Sequence, residues 1–137
     1  MFKKSVVLGA VAYILGTFPI AYVWHLVIFE ERYRAFGYFD DEPNVLLGFI
    51  SIVIQGVTLS FLYQHTRFNG SALVQAARFV CVVGVFFWTS HVLAFLAKQL
   101  VQDSLAFAIM ETGYLAIQFG VFGLFLGFIN RNRAVSP

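Results

Sequence analysis

In a chain of 137 residues, 60% are hydrophobic and 12% are charged, against about 45–50% and about 25% in soluble domains. A mean hydropathy of +0.81 is more apolar side chain than a water-soluble domain of this size hides, and far too much for a disordered one. Nine Lys and Arg against seven Asp and Glu leave a net charge of +2 with no basic stripe, which argues against a nucleic-acid partner and for the lipid bilayer.

A bilayer core about 30 Å thick is crossed by about 20 apolar residues in a helix. Four stretches qualify, over residues 5–29, 45–64, 79–97 and 104–129. Backbone groups in lipid must be satisfied internally, so each is a helix. The expected fold is all-α: an integral membrane four-helix bundle in one domain, 1–137. The first stretch follows Lys3 and Lys4 as a signal peptide would. Its apolar run is too long for one, and it reads as a retained helix. Pro19 within it frees the carbonyl of Leu15 and predicts a bend.

The connection from Glu30 to Asn44 mixes charges with Tyr33, Phe36, Tyr38 and Phe39, the composition of a segment at the headgroup level. Asp40, Asp41 and Glu42 before Pro43 read as a helix start, with a divalent-cation site as the alternative. Asn69-Gly70 marks the next turn. The single cysteine, Cys81, sits in an apolar run and reads as a small hydrophobe. Gly123 and Gly127 in the last stretch form a small-xxx-small pair that permits close helix contact. With the N-terminus inside, Lys3, Lys4, Arg67, Arg78, Arg131 and Arg133 face the cytoplasm, and Arg32, Arg34 and Lys98 face out. That imbalance predicts a multi-pass protein of the cell membrane with both termini cytoplasmic.

The two halves look alike. Trp24-His25 closes the first stretch and Trp88-Thr89-Ser90-His91 the third. Ile54-Gln55-Gly56-Val57 in the second resembles Ile117-Gln118-Phe119-Gly120-Val121 in the fourth. The expectation is two similar helical hairpins in tandem. Asp41-Glu42-Pro43, Gly48-Phe49 and the run Ile54-Gln55-Gly56-Val57-Thr58-Leu59-Ser60-Phe61-Leu62-Tyr63, with Glu111 and Gln118, resemble a family of small four-helix bacterial membrane proteins with no assigned function. The resemblance covers most of the chain and implies topology, not activity. The size is similar to that of small multidrug exporters. Those carry an essential Glu in the first helix, and this first helix has none, so their activity does not carry over.

Three ionisable groups lie inside the spans: His25, His91 and Glu111. Such groups are costly in a membrane and mark sites by default. Counted from the span ends at 1.5 Å per residue, all three lie roughly 6–11 Å below the outer boundary. Glu111, Tyr114 and Gln118 share one helix face, as do Ser51, Gln55 and Thr58. Both polar stripes are expected to meet in the bundle centre. Four readings of the layer stay open. It is a Glu–His hydrogen bond that holds the rim together, with Trp24 and Trp88 at the headgroups. It is a proton or cation relay through Gln55, Thr58 and Gln118. It is a haem held by His25 and His91. It is a transition-metal site of two His and Glu111. No nucleophile elbow, zinc-protease helix, P-loop or dinucleotide fingerprint appears, so catalysis is not expected. The expected function is a non-enzymatic accessory subunit or small transporter-like protein without a cofactor, as a homo-oligomer or within a larger membrane complex.

Overall fold

The structure, a computed structural model, describes residues 4–39 and 41–132. Lys3 and Arg133, used for the orientation, and Asp40 of the acidic run lie outside the described residues. Within them the fold is all-helical, with four helices long and apolar enough to cross a membrane. Helix α1 (Lys4–Val23) continues through Pro19 into a π-helical turn, Trp24–Ile28. A short α2 (Glu30–Ala35) follows, then α3 (Val45–His65) and α4 (Ala72–Trp88). A second π-helical turn, Thr89–Leu93, and a single turn α5 (Ala94–Leu96) extend α4, and α6 (Ser104–Ile129) ends the bundle.

The third long helix begins seven residues before its expected start at Phe79. Ser71 caps it by accepting from the Val74 amide, and Arg78 folds back to donate to the carbonyl of Asn69 at 2.9 Å. A long basic side chain near a helix end can reach a polar turn while its stem stays on an apolar face, so Arg78 does not end the helix. α3 begins at Val45, where its start is expected, but the acids do not cap it. Asn44, one residue after Pro43, is the cap, and its side-chain oxygen accepts from the Leu47 amide at 2.9 Å. The acid Glu42 instead lies 3.7 Å from Arg34.

α1 packs antiparallel to α3 and α6, and α4 packs along α6. α1 and α6 therefore form the centre. Their seam is aromatic: Tyr13 sits edge-on to Phe122 at 4.8 Å, within a core that includes Leu59, Phe79, Phe119 and Leu126. Glycines set the closest approaches. A side chain at Gly56 would press on the Ala10 carbonyl, 3.1 Å away. One at Gly127 would meet the Cα of Leu73 at 3.2 Å, and one at Gly123 would meet Val80. The Gly123/Gly127 pair thus serves the α4–α6 seam. α3 and α4 meet near their connecting turn, where Tyr63 packs against Phe79 at 5.2 Å. Towards the other end they diverge, leaving a cleft of about 270 Å³ between them.

The 30–44 connection does not lie flat. Tyr33 and Phe36 turn inward, fully or almost fully buried, and pack on Phe107. An ion pair from Arg34 to Glu30, and Arg34 stacked over Phe39 at 5.0 Å, hold its charged side outward. Spacing of i, i+3 on α2 puts Tyr33 and Phe36 on one face.

The glycine seam yields a paired expectation. Gly127→Leu forces α4 off α6 and should cost about 1–3 kcal/mol, the usual penalty of overpacking. Gly120→Leu should cost nothing, because no atom lies within 4 Å of the new Cβ. Thermal melts of both variants in one detergent separate the two.

Candidate functional site

Glu111 projects from the first half of α6 into a fully buried position. A carboxylate there is stable only if donors surround it. One oxygen, Oε1, takes two of them. Tyr33 donates its hydroxyl at 2.6 Å, and His25 Nε2 lies at 2.9 Å. The other oxygen, Oε2, is 3.3 Å from His91 Nε2, within ion-pair range but without the alignment of a hydrogen bond. The structure therefore brings His25, His91 and Glu111 to one point.

The hydrogens can be counted. His25 Nδ1 lies 3.0 Å from the carbonyl of Ala21, which only accepts, so Nδ1 carries a proton. Nε2 is the nitrogen turned to Oε1. The Trp24 indole donates to the Tyr33 oxygen at 2.9 Å, which leaves the Tyr33 hydrogen for the carboxylate. Both partners of Oε1 are groups able to donate, which is what a buried carboxyl oxygen requires. Burial, and then the nearby Glu111, push the Tyr33 phenol well above its ordinary range, and burial and Glu111 do the same to Tyr38. Both phenols stay neutral, and Tyr33 donates.

His25 and His91 each sit in a π-helical turn. The Phe29 amide donates to the Trp24 carbonyl five residues back, at 3.1 Å, and the Ala94 amide does the same to Thr89. A π-turn inserts one residue into a helix and re-aims the side chains beyond it; such turns recur at functional sites. Near the second turn, Thr89 and Ser90 hydroxyls donate to the carbonyls of Phe86 and Phe87. Near the first, His25 itself bonds the carbonyl one turn back. The tryptophans expected at the headgroups are bonded within the protein: Trp24 to Tyr33, and Trp88 to the Thr112 hydroxyl at 2.8 Å.

A second polar group lies about 10 Å further along α6. Gln118 donates to the Tyr13 hydroxyl at 2.8 Å, Tyr13 donates to Gln55 Oε1 at 2.8 Å, and Gln55 donates to Ser51 at 3.1 Å. The two stripes thus meet through Tyr13. Thr58 does not join them and is exposed, because its position on α3 turns away from α1. Tyr114 bridges the two groups, its ring edge-on to His25 at 4.6 Å. His25, His91, Tyr114, Gln55 and Gln118 all line the cleft between α3 and α4, with Glu111 behind the histidines.

Tyr33, Tyr38, Trp24 and Tyr13 belong to the site and were not singled out from the sequence. Tyr38 lies 3.3 Å from His91 Nε2 and stacks on His25 at 5.8 Å. Two signals pointed to these residues. Tyr13 and Thr17 on α1 and His25 in the turn that continues it recur at multiples of four, a polar stripe in the sequence. The aromatic face of α2 is the other.

Both imidazoles turn Nε2 onto the same carboxylate, and Tyr33, Tyr38 and Tyr114 pack around His25. Among the described residues, no three His, Cys, Asp or Glu side chains are arranged to hold a metal ion. No protein-family model, curated protein or solved structure matches the chain.

Tyr33→Phe removes a donor from a buried carboxylate and strands the Trp24 indole. It should lower stability by about 1–3 kcal/mol in a denaturation series. Because the Tyr33 and Tyr38 phenols titrate above their ordinary value in the fold, their contribution is intact below about pH 10 and is lost as pH rises beyond it. Melting curves taken into the alkaline range should fall less steeply with pH in Tyr33→Phe than in wild type.

Proposed function

We propose that the chain is a four-span integral membrane protein of two similar hairpins, with both termini in the cytoplasm. In this reading it is a small, non-enzymatic, transporter-like protein whose His25–Glu111–His91 centre binds and hands on a proton. The observation that carries the reading is the fully buried Glu111, with His25 Nε2 at 2.9 Å from one oxygen and a second imidazole 3.3 Å from the other. A centre serving only as glue would be expected to saturate both oxygens. Here Oε2 keeps an unused acceptor position beside His91, so a proton has a second place to go.

The exposed faces support insertion in a bilayer. Leu46 is 69% exposed, Phe86 69% and Phe128 71%, on helices with no charged face to offer water. The two π-turns, each next to a tryptophan and each holding a site histidine, support the reading of two related hairpins. A second reading, an accessory subunit of a larger complex, is favoured by the divergence of α3 and α4, which a partner helix would cover. Stoichiometric copurification with such a complex supports that reading.

The deciding experiment is a pH step applied to proteoliposomes adsorbed on a solid-supported membrane. Wild type should give a transient proton-displacement current. Glu111→Gln, reconstituted at equal density, should give none. An undiminished current in Glu111→Gln overturns the proton reading and leaves the centre as a structural contact. A reporter fused to the C-terminus should be active on the cytoplasmic side.

A further inference from the structure

The cleft between α3 and α4 has a shape and a chemistry that define an occupant. It opens sideways, between two helices that diverge away from their connecting turn. Its α3 wall extends from Asn44 to Gln55, about 16 Å at 1.5 Å per residue. Phe18, Leu26, Ile52, Phe87 and Leu115 make its sides apolar. Polar side chains are interspersed with these: His25, His91 and Tyr38 cluster together, Thr17, Ser51, Gln55 and Gln118 lie deeper in, and Tyr22, Asn44 and Tyr114 also face the space. A mostly apolar space about 16 Å along one wall, with imidazoles at one end, fits a single hydrocarbon chain or a slim hydrophobic body carrying one head group.

Charge decides the head group. No Lys, Arg, Asp or Glu lines the cleft among the described residues. An anionic head finds no cation to pair with. The one nearby acid, Glu111, stands behind the histidines and is already bonded to His25 and Tyr33, so a cationic head finds no free carboxylate. An uncharged head remains. His91 sets its kind. Its side chain is 39% exposed, and its Nε2 makes only long contacts, 3.3 Å to Tyr38 and 3.3 Å to Glu111. An imidazole nitrogen donates in one tautomer and accepts in the other. A hydroxyl does both and therefore fits either, whereas a carbonyl only accepts.

We propose that this cleft is a binding site, opening to the bilayer, for an uncharged single-chain amphiphile with a hydroxyl head, the hydroxyl bonded to His91 and the chain lying along Phe18, Ile52 and Phe87. The proposal rests on the reading of the polar centre as a ligand site and names the ligand class of that site.

Gly48 provides the control. It lines the cleft, and a side chain there meets nothing within 4 Å. Gly48→Trp adds bulk at the mouth without disturbing a packed contact, and removing a mid-helix glycine does not weaken the helix. The probe is dodecanol carrying a diazirine near its tail, photolysed with the protein in phosphatidylcholine nanodiscs, with labelled positions mapped by mass spectrometry. Wild type should be labelled on Phe18, Ile52 and Phe87, and Gly48→Trp should lose that labelling. Unlabelled dodecanol should compete about fivefold better than dodecane, the worth of one hydrogen bond, and better than dodecanoate or dodecylamine. His91→Ala should erase the advantage over dodecane. Labelling of the outward Val85 and Phe86 as heavily as of the cleft overturns the proposal, and so does cleft labelling unchanged in Gly48→Trp. Competition led by the charged amphiphiles overturns it as well. Hydroxyl-selective cleft labelling without a pH-step current would overturn the proton reading and leave this one standing. A current lost in Glu111→Gln with no cleft labelling would do the reverse.

Discussion

A carboxylate taken out of water dictates much of this structure. Removing one partner of a buried ion pair costs about 3–5 kcal/mol, a large part of the stability of any small domain. Glu111 avoids that penalty because three separate segments supply groups to it. The turn after α1 brings His25, α2 brings Tyr33, and the turn after α4 brings His91. None of the three is adjacent in sequence to Glu111. Two of them arrive only because a regular helix is interrupted by a π-turn at the right place. The interruptions have local compensation: hydroxyls of Thr89 and Ser90 in one case, the imidazole of His25 in the other.

The same demand explains the 30–44 connection. A segment rich in Glu and Arg would ordinarily float at a surface. Tyr33 draws it back over the end of the bundle, because its hydroxyl completes the shell of Oε1 while its ring buries against Phe36, Phe107 and His25. Trp24 in turn donates to Tyr33, which links the end of α1 to the connection that follows it. Polar satisfaction and aromatic packing act on the same residues, so loss of one hydroxyl is felt in both.

The cleft follows from where the helices are held tightly and where they are not. Gly56 lets α1 lie close against α3, and Gly123 and Gly127 let α4 lie close against α6. α3 and α4 touch near the turn, at Tyr63 and Phe79, and the cleft opens away from it. The space left there is bounded by both polar groups, the histidine centre and the Gln118–Tyr13–Gln55 chain. Tyr13 is the hinge of that second chain, fully buried and both accepting and donating.

By itself the sequence determined the all-helical class and the four long apolar helices, because apolar run length and the absence of charge are local properties that survive any packing. It also placed two imidazoles and one carboxylate at similar distances from their helix ends, since helical rise converts residue number to depth. The seam glycines were legible as a motif, though not their partner helix. Only the tertiary structure decided that Glu111 pairs with His25 through one oxygen, that Tyr33 and Trp24 complete the shell, and that Tyr13 joins Gln55 to Gln118 while Thr58 stays outside. Those outcomes depend on rotation about each helix axis, and a π-turn shifts that rotation by a full residue in a way that periodicity cannot register. The early start of α4 was hidden for a related reason. Arg78 reads as a boundary in a hydropathy window, but a capping serine and a backbone carbonyl within its reach, both products of the folded turn, make it an ordinary helical residue.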